Sequence, residues 1–390
     1  MKVFRSAIVF FILSKVIVSQ CHAFPAVRVR LFSKYTLQSA RLILHGGGWH
    51  TGARPLESGV YRIRALDGGM ILEGAGVLLR LERLKLLTGS LKPRFTIEAL
   101  GIRRLYRGRI WIEQAEGGLV LINVLPLQQY IVSVLFGEIP SLAGRSRVLE
   151  ALKAQAVAIR SYTAYYLNPD RGRHPGKGYD FCDLTHCQVY RGDVPAGYRN
   201  IRRAVIETAG VVLRYRGTLV PGYYSSTCGG RTVSPQEVWG SGVLQAVFPG
   251  GGHLLHGKAP CRDSIHFRWR FEVVRIGFRD FFSAACFPVL SARDLQLVTG
   301  PGGSVRFLRV GETQIAGYRF RNLFCKKWGW NSLRSLCFTL EVTKDRVIFK
   351  GQGLGHRIGL CQYGAFAYAA AGYSWQRILN EYFPGVRAGK

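Results

Sequence analysis

Residues 24 to about 124 alternate apolar and polar side chains in short runs broken by glycine clusters, and a period of two leaves little choice of structure. Val27-Arg28-Val29-Arg30-Leu31 alternates strictly, as does Tyr61-Arg62-Ile63-Arg64-Ala65-Leu66, and residues 107–112 and 118–124 read the same way. Gly46-Gly47-Gly48, Gly68-Gly69 and Gly117-Gly118 interrupt the runs, so this part predicts antiparallel strands joined by tight turns. Arginine fills many of the alternate positions, which predicts a charged, solvated strand face. That accounts for part of a strongly basic composition: 54 Lys+Arg against 23 Asp+Glu in 390 residues, a net charge of +31. Hydrophobic residues make up 48%, too many for a disordered polycation. The 47 glycines have no strict period, which excludes a collagen-like chain. Beyond the N-terminus no apolar run approaches ~20 residues, which argues against a polytopic membrane protein.

At Pro126 the character changes. Proline suits a helix start, and Leu127, Tyr130, Ile131, Val134 and Leu135 recur at helical spacing, predicting a helix over about 126–136. Gly137 is expected to end it in a left-handed conformation, with Pro140 preventing resumption. Ser146 is a candidate N-cap for a second helix over about 147–168, with Leu152, Ala156, Ile159 and Thr163 along one face. Residues 201–350 favour strands and loops, and a closing helical stretch over about 363–383 is broken at Gly372 and recapped by Ser374. The class is α+β, a β-rich body with a few helices.

Residues 1–23 read as a secretory leader: Lys2 and Arg5, an apolar stretch from Ala7 to Leu13, and Cys21-His22-Ala23 as a cleavage site. The expected organisation is a leader at 1–23, a β-rich region at 24–118 and a larger unit at 119–386. The expected location is outside the cytoplasm, at the cell envelope, in periplasm or wall. Membrane anchoring is expected only if the leader is retained. If Cys21 departs, eight of nine cysteines remain, an even number compatible with disulfides.

Several clusters could carry chemistry. Glu138, in Phe136-Gly137-Glu138-Ile139-Pro140, is a carboxylate among apolar neighbours. Burial there would raise its pKa toward that of a general acid, while a helix-terminal salt bridge to arginine is the plain alternative. Cys182-Asp183-Leu184-Thr185-His186-Cys187, with His174 upstream, offers two thiols and two imidazoles for a structural Zn²⁺. A Cys182–Cys187 disulfide is the competing reading. Residues 223–230 and 351–365 are Gly-containing loops rich in polar side chains; neither matches a nucleophile elbow or a dinucleotide loop. His253, His256 and His266 form no ligand pattern. No nucleic-acid motif accompanies the basic residues, so nucleic acid is not an expected partner.

Together these segments resemble the SpoIID/LytB family (stage II sporulation protein D and the LytB amidase enhancer). The resemblance runs collinearly from Asn123-Val124-Leu125-Pro126-Leu127 through Gly137-Glu138-Ile139-Pro140, Ala154-Gln155-Ala156-Val157-Ala158 and Arg160-Ser161-Tyr162. It continues at Cys187-Gln188-Val189-Tyr190-Arg191-Gly192, at 226–230, at 355–365 and at Tyr382-Phe383-Pro384-Gly385. It implies peptidoglycan chemistry: a lytic transglycosylase with Glu138 as its one catalytic carboxylate, no cofactor needed for the reaction, and glycan strands stripped by an N-acetylmuramoyl-L-alanine amidase as substrate. The other implied reading is a non-catalytic glycan-binding protein that enhances such an amidase. Gln188, Tyr190, Ser226, Thr227, His356 and Gln362 are then expected along the glycan groove, and zinc near residues 182–187 is in keeping with some members. A hydrolase would need a second carboxylate, for which only Asp183 and Glu237 are at hand. Departures from the family pattern are Arg357 where a glycine is usual, which leaves fine specificity open, and Cys228 and Cys361 where serine is usual. Those two cysteines either lie close enough to bridge or are independent near-isosteric changes.

Overall fold

The computed structural model describes residues 26–89, 93–139, 147–240, 244–284, 295–310 and 312–390. The expected leader at 1–23, Pro140 and Ser146 lie outside these residues. The alternating segments form two sheets. One runs 102–107, 94–99, 39–45, 59–66, 69–74, 77–81; the other runs 181–182, 27–31, 118–125, 109–115, 83–88, 49–50, 55–56. Alternation does what the period predicts: Val27, Val29 and Leu31 are buried while Arg28 and Arg30 point outward. Those two arginines are not merely solvated, since Arg28 pairs with Asp180 at 2.6 Å and Arg30 with Glu116 at 2.7 Å. Residues 118–125 depart from the expected one-sided pattern and are buried on both faces. Leu119, Leu121 and Leu125 join the main core, and Val120, Ile122 and Val124 pack with Tyr179 on the other side.

Strand Val27–Leu31 lies between Gly118–Leu125, antiparallel, and Phe181–Cys182, parallel. Helix α1 (Leu127–Glu138) starts at Pro126 and buries the five apolar residues that predict it. Helix α2 (Leu149–Tyr166) is Ala-rich and buried almost all round from Ala151 to Thr163, polar Gln155, Arg160, Ser161 and Thr163 included. It packs against α1, Arg199–Glu207, Gln362–Ala370 and Trp375–Tyr382. Gly372 breaks the closing helix in two, and Ser374 Oγ accepts the Arg377 N–H at 3.3 Å. Arg160, fully buried on α2, has no carboxylate partner among the described residues and donates to the carbonyls of Val205 and Val211 at 3.3 and 3.1 Å. A file of rings, Trp49, Phe95, Tyr106, Tyr190, Tyr130 and Phe181, joins the sheets to α1, with neighbouring centroids 5.3–6.2 Å apart.

Residues 201–350 contain more helix than their sequence predicts. Besides Arg199–Glu207 at its edge, this stretch forms Pro235–Trp239, Arg275–Ala284 and Gly317–Trp328. The last two close a second core with strands 268–274, 338–342 and 346–352, centred on Phe278, Phe320, Phe324 and Phe349. Two buried polar side chains tie this lobe to the body through its loop at 300–304. Glu237 accepts the N–H groups of Gly302 and Ser304 at 2.9 and 2.8 Å. Arg357 donates to the carbonyls of Cys228, Arg231 and Gly302 and to Ser304 Oγ, at 2.8–3.3 Å.

Candidate functional site

Helix α1 runs through Gly137 and ends on Glu138, so the glycine is helical and not the left-handed terminator its sequence predicts. Its missing side chain serves a different end. A Cβ there would lie 2.3 Å from the Val189 carbonyl oxygen and 3.1 Å from its carbon, closer than any packing allows. With only hydrogen in the way, the segment after Cys187 lies flat against the helix end, and the Val189 N–H donates to Glu138 Oε1 at 2.7 Å. Tyr224 Oη donates to the same oxygen at 3.1 Å. Both bonds fall on Oε1, which leaves Oε2 as the oxygen able to meet a ligand. Glu138 keeps part of its surface open to solvent, yet the protein crowds its carboxyl. Loss of water pushes its pKa up to about 7, against the opposing pull of the Val189 N–H, the Tyr224 hydroxyl and the Arg191 charge. Among the described residues no arginine forms a salt bridge to Glu138; Arg191 acts on it through its field.

A second tier holds these donors in place. Gln188 Nε2 donates to Tyr224 Oη at 3.0 Å, while Gln188 Oε1 accepts from Thr163 Oγ1 at 2.9 Å and Tyr130 Oη at 3.2 Å. Because both ends of the Gln188 amide are engaged, the tyrosine hydroxyl has one hydrogen to give and gives it to Glu138. Burial raises the Tyr224 pKa well above its ordinary value, so it stays a donor throughout the neutral range.

The residues expected along a groove sort into different places. Gln188 is buried at 1% exposure and acts on Tyr224. Tyr190, also at 1%, stacks between Tyr106 and Tyr130 and donates its hydroxyl hydrogen to Asn123 Oδ1. Thr227 is fully buried and hydrogen-bonded to Ser264 Oγ at 2.7 Å. Gln362 is buried, with its Nε2 unpartnered among the described residues. Ser226 and His356 remain partly exposed. His356 Nδ1 accepts the Ile358 N–H at 3.0 Å, and burial lowers its pKa to about 4, so the ring is neutral at any ordinary pH. Two residues not named among the expected groove residues stand beside those that were. Tyr224 is one. The other is Trp239, which is 40% exposed with its ring 5.4 Å from His356 and 5.1 Å from Tyr223. Tyr224 lies in the polar loop 223–230 that the sequence marks out, while a tryptophan at a helix end looks like an ordinary core residue until the chain folds.

Arg357 is 1% exposed and spent on main-chain carbonyls, so it neither narrows a groove nor meets a ligand. Its φ of 65° matches a position where glycine would be expected, and its four hydrogen bonds hold that strained backbone. The two alternative carboxylates are likewise occupied. Asp183 accepts the N–H groups of Phe32 and Ser33 and pairs with Arg104, while Glu237 holds the 300–304 loop.

His174, Cys182, His186 and Cys187 converge, with one donor atom from each lying within 4.8 Å of the others. Cys187 Sγ is 3.2 Å from His174 Nε2 and 3.5 Å from His186 Nδ1, and Cys182 Sγ is 3.8 Å from His186 Nδ1. Burial lowers the His174 pKa, keeping that imidazole neutral and its lone pair available. Two sulfurs and two imidazoles at such separations match the donor set Zn²⁺ favours. Cys228 and Cys361 also lie together, the Cys228 N–H donating to Cys361 Sγ at 3.2 Å, and both are free thiols. Among the described residues no helix is long and apolar enough to cross a membrane.

Comparison with known proteins adds the following. Residues 115–215 match the family model described as Stage II sporulation protein, SpoIID. An uncharacterized protein of Brachyspira hyodysenteriae is 26% identical over 282 residues, 72% of this chain and 71% of that one. The stage II sporulation protein D of Bacillus amyloliquefaciens is 26% identical over 275 residues, 67% of this chain and 74% of the relative. The amidase enhancer of Bacillus subtilis is 26% identical over 296 residues, 64% of this chain but only 39% of that longer protein.

Proposed function

The chain belongs to the SpoIID/LytB family, and from that premise we propose that it is a peptidoglycan lytic transglycosylase working on glycan strands that an amidase has stripped of stem peptides. The coarser conclusion, a cell-wall role at the envelope, follows from the family itself. The finer one is carried by one observation: Glu138 anchors Oε1 with two donors, leaves Oε2 free, and has a pKa near 7. Protonated Oε2 donates to the glycosidic oxygen as the bond to the departing sugar breaks, and positive charge builds on the anomeric carbon. The carboxylate so formed is held by the Val189 N–H and the Tyr224 hydroxyl. It then takes the proton from the 6-hydroxyl of the same sugar, whose oxygen closes an anhydro ring. The nucleophile belongs to the substrate, so one carboxyl serves as acid and then as base. The engagement of Asp183 and Glu237 elsewhere supports this over hydrolysis. Trp239, beside His356, offers an exposed aromatic face on which a sugar ring can stack, and Ser226 offers a hydroxyl.

The test is product analysis on amidase-treated peptidoglycan. Anhydro ends are expected; new reducing ends would mean hydrolysis. Binding with neither product would favour the second reading, a non-catalytic enhancer, which the name of the Bacillus subtilis relative supports. A pH profile tests the acid separately. Cleavage starts from protonated Glu138, so kcat/KM should fall above an apparent pKa of about 7 and lose roughly tenfold per further pH unit. A rate flat from pH 6 to 9 would exclude Glu138 as the acid.

The proposal includes a structural Zn²⁺ held by His174, Cys182, His186 and Cys187, whose contribution is rigidity and not chemistry. Cys187 directly precedes Gln188 and Val189, so tying it down fixes the two residues that orient Tyr224 and Glu138. Replacing Cys182 and Cys187 together by serine should remove one equivalent of zinc and lower Tm by several degrees, read by elemental analysis and thermal melts. Unchanged metal content would reject the site.

A further inference from the structure

A second sulfur cluster lies on the far side of Tyr224 in sequence, within the loops that flank the site. Cys228 and Cys361 are joined by Cys261, which nothing in the sequence associates with them. All three are buried, at 0%, 0% and 1% exposure, and their sulfurs lie within 4.8 Å of one another. The Cys228 and Cys261 sulfurs are 3.7 Å apart. Tetrahedral Zn²⁺ with Zn–S bonds of ~2.3 Å spaces its sulfurs by about 3.8 Å, whereas a disulfide needs about 2.0 Å. Main-chain N–H groups converge on the same sulfurs. Cys228 and Gly364 donate to Cys361 Sγ at 3.2 and 3.4 Å, and the N–H groups of Gly229 and Gly230 face Cys261. Both glycines have positive φ, 72° and 93°, the backbone shape that turns successive N–H groups to one side. Such donors stabilise thiolate more than thiol. One further polar atom is left over: Tyr382 Oη is buried, has no hydrogen-bond partner among the described residues, and abuts Gly364. The His253 imidazole is near enough to Cys261 to feel its charge.

We infer that Cys228, Cys261 and Cys361 bind one Zn²⁺ as a buried three-sulfur site, separate from the His174–Cys187 cluster. Each thiol gives up its proton to solvent as its sulfur–zinc bond forms, with no oxidant or reductant involved. An odd number of mutually adjacent thiols cannot be consumed by pairing, since any disulfide would strand the third sulfur in an apolar core. Zinc satisfies all three at once. It would also fasten three distant segments, 225–230, 261–264 and 355–364, to one point. The inference does not depend on the glycosidic chemistry, and its test reads metal and thiols only.

The full chain, purified without chelator, should carry one zinc equivalent that survives Cys182→Ser with Cys187→Ser and is lost with Cys261→Ser in that background. If Cys261→Ser does not fold, the wild-type chain serves. Alkylation followed by peptide mapping should leave Cys228, Cys261 and Cys361 protected in the native protein. All three should become labelled after denaturation in chelator with no reductant. A pair that labels only after reduction would show a disulfide and overturn the inference. So would three thiols that label equally with and without chelator, or zinc content indifferent to Cys261→Ser.

Discussion

Glu138→Gln is expected to lower the formation of anhydro ends by ~10³-fold or more while leaving glycan binding intact. A positioned acid or base contributes about 10²–10⁴-fold, and in the proposed mechanism one side chain supplies both steps. The substitution is nearly isosteric. The amide oxygen can keep the bonds from the Val189 N–H and Tyr224 Oη, so the fold should survive. Stability gives an independent reading. A carboxyl whose folded pKa is raised from 4.5 to about 7 binds its proton more tightly folded than unfolded. The stabilisation that this tight proton gives is full below pH 4.5 and is lost as pH rises through 7. The wild type should therefore lose stability across that window and the glutamine variant should not. The full shift corresponds to about 3 kcal/mol; the open side of Glu138 reduces this to ~1–2 kcal/mol. At pH 5 the two melts should nearly coincide, and at pH 8 the variant should melt higher. A variant that still makes anhydro ends at the wild-type rate would remove Glu138 from the mechanism.

Gly137→Ala should damage the same site from beneath. In an ordinary helix alanine would gain about 1 kcal/mol over glycine. Here the new methyl meets Val189 main chain at 2.3 Å, and a carbonyl cannot swing aside as a side chain can. The 188–190 segment must retreat by about an ångström, which is enough to break the 2.7 Å bond from the Val189 N–H to Glu138. Misplacement of that size costs ~10²-fold in rate, and the overpacking costs about 1–3 kcal/mol. Loss of the N–H also removes one of the influences that hold the Glu138 pKa down, so the alkaline limb of the pH profile should move to higher pH. Wild-type rate with an unmoved limb would show that the Val189 contact does not orient the acid.

The sequence is most legible where periodicity and burial agree. Strand Val27–Leu31 and helix α1 are read correctly because their apolar residues face one side only. Strand Gly118–Leu125 is found, but its two-sided burial is not, because two cores meet on it. Helix Gly317–Trp328 escapes because arginines and lysines interrupt it, although Phe320 and Phe324 stand four apart on its buried face. The site divides in the same way. Glu138 stands out as an acid among apolar residues, and the His174–Cys187 spacing announces four donors. Which polar residues face inward is set by tertiary packing: Gln188 and Tyr190 turn into the core, and Tyr224, one residue of the polar 223–230 loop, reaches the acid. Arg357 shows the limit plainly, since a charged residue at a loop position gives no hint that four buried acceptors await it.

The donors to Glu138 Oε1 come from positions 51 and 86 residues further along the chain. The burial that raises its proton affinity against those donors is likewise made by segments distant in the chain, Val189 and Tyr224 among them. A partly folded chain therefore carries an ordinary surface glutamate, ionised at neutral pH and unable to protonate a glycosidic bond. The cutting activity proposed above would then arise only once the whole body has closed, and a partly folded copy would leave the polymer around it intact.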